Sequence, residues 1–62
     1  MNDEERFVWL ASHLHAFRLE VYNNAVLEWI DDYGRDRVTA VSSEEYQDDA
    51  EFLRMAVDAA MR

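Results

Sequence analysis

Residues 3–33 read DEERFVWLASHLHAFRLEVYNNAVLEWIDDY, a stretch without Pro or Gly in which apolar side chains recur at helical spacing. At 100° per residue, Phe7, Leu10, Leu14, Phe17 and Val21 form one stripe. Tyr22, Val26, Trp29, Ile30 and Tyr33 form a second, rotated around the axis. The spacing predicts one helix over 3–33, roughly 46 Å long at about 1.5 Å per residue. Asn2 or Asp3 can cap its first turn, where Asp3, Glu4 and Glu5 meet the positive end of the helix dipole. Gly34 follows as a left-handed C-cap, and Asp31 can pair with Arg35 four residues on. The alternative is three short helices with a break near Asn23-Asn24, since Asn caps helices better than it propagates them.

Working outward, residues 35–41 form the connector. Val38, Thr39 and Val41 are β-branched and can run extended, but a lone short strand has no partner. Ser42 and Glu45 have the spacing of a capping box, which predicts a second helix over 43–60. Tyr46, Ala50, Leu53, Val57 and Ala60 make its main stripe, and Phe52, Met55 and Ala59 a smaller one. The expected fold is therefore all-α: a two-helix hairpin in one domain over 1–62, dimerising into a four-helix assembly. A hairpin this small buries too little apolar surface by itself, and two-fold dimers are the commonest remedy. The expected core and dimer residues are Phe7, Leu10, Leu14, Phe17, Val21, Tyr22, Val26, Trp29, Ile30, Tyr46, Leu53 and Val57.

The 62 residues include no Cys, which excludes disulfides and thiolate metal sites. Net charge is −8, with fourteen acids against six bases, all of them Arg. A chain this acidic does not neutralise phosphates, so neither direct nucleic-acid binding nor adhesion to anionic lipid is expected. No apolar run approaches the length of a membrane span, and the start is acidic, unlike a signal peptide. The expected location is the cytoplasm, that of the host if the chain is phage-encoded.

His13 and His15, two apart, point about 200° from each other on a helix and cannot share a metal. His13 falls on the polar side and His15 at the edge of the apolar arc. No nucleophile elbow, HExxH or glycine-rich phosphate loop is present. Glu28 with Asp31 and Glu45 with Asp48 are i, i+3 acid pairs that could chelate Mg²⁺ from facing helices. This resembles the ExxD pattern of the all-α nucleoside-triphosphate pyrophosphatases and implies a Mg²⁺-dependent nucleotide hydrolase. It covers four residues and lacks the lysines and extra helices a nucleotide site needs.

The acids of 44–51 are better read together, as a face that is either solvated or docks on basic surfaces. The expected function is a small acidic, non-enzymatic regulator or inhibitor that binds a protein partner with a basic surface. Its concrete form is a phage or mobile-element protein blocking a host CRISPR, restriction or transcription component. No catalytic residue, cofactor or metal is expected. Trp9, Leu27, Glu45, Asp48, Asp49, Phe52 and Met55 are the expected partner-binding residues, since apolar side chains stand there on otherwise polar faces or beside the acids. A structural adaptor or chaperone-like subunit of a larger helical complex is the alternative.

Overall fold

The computed structural model describes residues 2–62. Its elements run α1 (Asp3–His13), β1 (Leu14–Glu20), β2 (Asn24–Ile30), β3 (Asp36–Ser42) and α2 (Asp49–Ala60). The strands form one antiparallel sheet in the order β1-β2-β3. The all-α hairpin is thereby overturned, as are the helix over 3–33, the three-helix alternative and the four-helix assembly built from them. A helix does begin at Asp3, with the Asn2 side chain accepting from the Glu5 amide at 2.9 Å. It stops at His13, and Leu14 turns extended without any intervening loop.

The strands explain the misleading spacing. Phe17, Leu19 and Val21 alternate with Arg18 and Glu20, and Ala25, Leu27 and Trp29 alternate with Val26, Glu28 and Ile30. Positions four apart satisfy a strand period of two and the helical i, i+4 rule alike. The register places Phe17 beside Leu27 beside Thr39, and Leu19 beside Ala25 beside Val41, on one face. A bulge between Leu14 and Ala16 adjusts β1 where it leaves the helix. The connector's β-branched residues, Val38, Thr39 and Val41, found the partner they lacked: β3 pairs with β2 from end to end.

Two turns close the sheet. Val21-Tyr22-Asn23 is a three-residue loop between the paired Glu20 and Asn24, and both Tyr22 (φ 63°) and Asn23 (φ 57°) are left-handed in it. Asn accepts this readily, whereas for Tyr it costs about 1–2 kcal/mol. In the second, Gly34 is left-handed (φ 77°) as expected, but it closes a hairpin rather than a helix. Its amide donates to the Asp31 carbonyl, and the Asp31 amide donates to the Arg35 carbonyl, both at 3.0 Å. The Asp31–Arg35 ion pair also forms at 3.1 Å, within this turn.

One face of the sheet is covered. α2 packs on β2 and β3, and α1 packs on α2 and on the start of β1. With a smallest extent of 17 Å, there is room for the sheet and one layer of helix. The core is Leu27, Ala56 and Val57, ringed by Trp9, Leu10, Phe17, Trp29, Val41, Leu53, Ala60 and Met61. Phe52 of α2 is buried as well. The second helix starts later than the Ser42 capping box suggested. Ser42 ends β3, and Asp48 is the N-cap, accepting from the Glu51 amide at 2.8 Å.

The apolar stripes are redistributed accordingly. Phe7 (71 % exposed), Val21, Tyr22 and Tyr46, expected in the core or a dimer interface, are exposed in the single chain, as are Leu14 and Ile30. Leu27 and Phe52, expected on an outer face, are buried at 0 % and 4 % exposure. The second layer that the stripes demanded is supplied by the chain's own sheet. No helix among the described residues is long and apolar enough to cross a membrane.

Full burial of a Leu side chain contributes about 1.5–3 kcal/mol, and truncation also leaves a cavity. Leu27→Ala should therefore lower the unfolding free energy by about 2–5 kcal/mol. Phe7→Ala should change it by no more than about 0.5 kcal/mol. Urea denaturation of the two variants checks this; equal losses would place the core on the outer face of α1.

Candidate functional site

The arginines are placed first, because they decide which acids remain free. Arg54 grips Asp3 with two bonds, Nε to Oδ1 at 2.9 Å and Nη2 to Oδ2 at 3.0 Å. Arg6 donates to Asp3 at 2.8 Å and grips Asp58 at 2.7 and 2.9 Å. The pairings Asp3–Arg54 and Arg6–Asp58 advance together along both helices, so α1 and α2 lie parallel, with their N-termini towards the same end. Hydrogen bonds from Arg54 and then Arg6 hold the Asp3 carboxyl at about 2. The bond from Arg6 likewise lowers Asp58 and raises Arg6 itself. Fork-to-fork geometry of this kind is the strong form of a surface ion pair.

Elsewhere Arg18 bridges Glu20 (3.1 Å) and Glu28 (2.9 Å) on the open sheet face. Arg35 and Arg37 approach Asp31 at 3.1 and 3.9 Å, and Arg37 also lies over the Trp29 ring, 5.8 Å from its centroid. Among the described residues, every arginine but Arg62 is thus paired within the chain. The acids without a salt bridge among the described residues are Glu4, Glu5, Asp36, Glu44, Glu45, Asp48 and Asp49.

A cluster around His13 was invisible to helical reasoning. Trp9 and His13 stack at 4.7 Å and 8°, and Trp29 tilts against Trp9 at 5.2 Å. His13 Nδ1 lies 2.9 Å from the Trp9 carbonyl and Nε2 lies 2.8 Å from Asp32 Oδ1. Both partners are acceptors only, so the ring satisfies both as the doubly protonated imidazolium. Its pKa is raised accordingly, by the Asp32 bond first and the Trp9 carbonyl second. The indole of Trp29 donates to Thr39 Oγ1 at 2.9 Å. Neither ring nitrogen of His13 is available to a substrate or metal. The cluster fastens the end of α1 to the β2–β3 turn, and His13 is half-buried there rather than solvated.

The acid pairs do not make a helical chelate. Glu28 lies in β2 under Arg18, while Asp31 accepts from the amides of Tyr33 and Arg35 in the following turn. Glu45 lies in the connector and Asp48 caps α2. The premise of facing helices is absent at all four positions. No group of three or more potential metal ligands occurs among the described residues.

What the fold does assemble is one acidic end. Glu44, Glu45, Asp48 and Asp49 lie exposed in the segment that leads from β3 into α2. The Ser43 amide donates to the Asn23 carbonyl at 3.0 Å, tying this segment to the β1–β2 turn. Tyr46 (81 % exposed) and Tyr22 (90 % exposed) are therefore carried by adjoining loops. Between them lies an open cleft of about 230 Å³, lined in part by Leu19, Tyr22, Tyr46, Gln47, Asp49 and Phe52.

The chain matches no family, no curated protein and no solved structure.

Of the expected partner-binding residues, Glu45, Asp48 and Asp49 stand together at the acidic end. Trp9 and Met55 are half-buried, Trp9 in the aromatic cluster, and Leu27 and Phe52 are buried. At helical spacing Tyr22 and Tyr46 fall in apolar stripes. The signal that marks Tyr22 is the Tyr-Asn-Asn turn at the end of the Phe17-Leu19-Val21 alternation.

The raised pKa of His13 has a definite consequence. Its ion pair stabilises the fold fully below about pH 6.5, the ordinary histidine value, and this contribution is lost as the pH rises through the raised value. Thermal unfolding followed from pH 5 to 9 should show this loss, and Asp32→Asn should remove most of it while lowering the His13 midpoint in an NMR titration. An unmoved midpoint in Asp32→Asn would exclude the pair as its cause.

Proposed function

We propose that this chain is a non-enzymatic, acidic protein-binding regulator whose partner presents a basic surface. The observation that carries the reading is the separation of charge. Among the described residues every arginine but Arg62 is engaged within the chain, while Glu44, Glu45, Asp48 and Asp49 are exposed on one segment without a salt bridge. A field of one sign steers an oppositely charged surface and repels phosphate. Such a domain can occupy or mask a groove that binds nucleic acid. That is the physical basis for the more concrete form of the reading, an inhibitor encoded by a phage or mobile element that blocks a CRISPR, restriction or transcription component.

A second reading, a structural subunit of a larger assembly, is favoured by α1. None of its residues is buried, and Phe7 and Val8 stand in solvent on its outer side. That reading expects self-association or poor solubility of the isolated chain. The first expects a soluble protein whose complexes depend on salt.

Glu44, Glu45 and Asp49 are exposed and Asp48 caps α2, so charge reversal belongs at the first three. Affinity capture from the native cell with the wild-type chain and with Glu44→Lys/Glu45→Lys/Asp49→Lys should retain basic proteins on the former alone. Association with a captured partner should slow about tenfold or more at low salt, the difference shrinking as ionic strength rises. Equal association rates for both chains at low salt would refute the electrostatic role of this segment.

A further inference from the structure

We infer that the cleft between the β1–β2 turn and the acidic connector is an arginine-docking site for a segment of a protein partner. The inference rests on the reading above and names the group that segment inserts. Tyr22 and Tyr46 line one open cleft from two loops joined by the Ser43–Asn23 backbone bond, with Leu19 and the edge of Phe52 as its apolar floor. Asp49 lines the cleft and makes no salt bridge among the described residues, Glu20 lines it bonded to Arg18, and Glu44 and Glu45 precede Asp49 on the connector. Aromatic walls beside a free carboxylate match one side chain best. A guanidinium stacks its plane on tyrosine, forks its donors to a carboxylate and lays its aliphatic stem on apolar surface.

The alternatives fit less well. Phosphate is repelled by the neighbouring acids. A second copy of this chain carries the same charge, and its arginines other than Arg62 are already paired. The ammonium of lysine is more strongly hydrated and has no planar face to stack. The backbone at Tyr22 is consistent with a displayed rather than a packed residue: the ring is 90 % exposed although the position is left-handed, where Asn would sit more easily. Folding by itself gives no reason for a tyrosine at that point.

The test uses hexa-arginine and hexa-lysine peptides titrated into the ¹⁵N-labelled 62-residue chain at low salt. Hexa-arginine should shift the resonances of Leu19, Tyr22, Tyr46 and Asp49 and bind about fivefold or more tightly than hexa-lysine. In Tyr22→Asn/Tyr46→Ala the two peptides should bind alike, through charge alone. Tyr22→Asn should melt at the same or a higher temperature than the wild-type chain. A lower melting temperature would make Tyr22 a structural residue and count against the site. Unshifted tyrosines, or an arginine preference that survives the double substitution, would overturn the cleft while salt-dependent binding of both peptides left the basic-partner reading in place. Failure of both peptides to bind would overturn that reading as well.

Discussion

The inward face of β2 has to be kept from water, and the rest of the fold follows from how this is done. Ala25, Leu27 and Trp29 point to that side, and an antiparallel sheet of three strands cannot cover them itself. α2 supplies Phe52, Ala56 and Val57 on one helical face and closes the contact over Leu27. Because α2 lies over β2 and β3, the β1 side is left for α1. α1 buries no residue completely. It is held at its edges instead, by Asp3 and Arg6 to α2 and by the stack of Trp9 and His13 against Trp29.

Those edge contacts also organise the charge. Two parallel helices side by side align their dipoles unfavourably, and the Arg54–Asp3–Arg6–Asp58 ladder offsets this with opposite charges in fork geometry. Every arginine but Arg62 is engaged with a carboxylate of the chain among the described residues, between elements or on the sheet's open face. Within a net charge of −8, the carboxylates left unpaired among the described residues are concentrated where the connector enters α2. Fold and proposed function share one cause: the cations that pair within the chain leave the carboxylates of the connector unopposed.

Legibility varied element by element. The beginning of α1 and most of α2 could be read, because Asn2, the acids after it and the alanine-rich segment after Asp49 follow local rules of capping and propensity. β1 could not. Leu14–Glu20 contains no β-branched residue, and its Leu, Ala, Arg and Glu favour a helix, so its extended form is imposed by β2. Leu27 held the missing clue. On a helix it is an isolated apolar residue on a polar side, whereas on a strand it falls in line with Ala25 and Trp29.

The sequence by itself determined the charge balance, the exclusion of thiol chemistry, the helix at each end and the left-handed backbone at Gly34. These depend on composition or on neighbours within a turn. Tertiary structure alone decided that the middle is a sheet, that Leu27 and Phe52 are core and that Tyr22 and Tyr46 are displayed together. A period of two and a period near four coincide at every fourth residue, so local spacing leaves the choice open. Burial settles it, because only the strand conformation puts Phe17, Ala25, Leu27, Trp29 and Val41 on a single surface that α2 can cover.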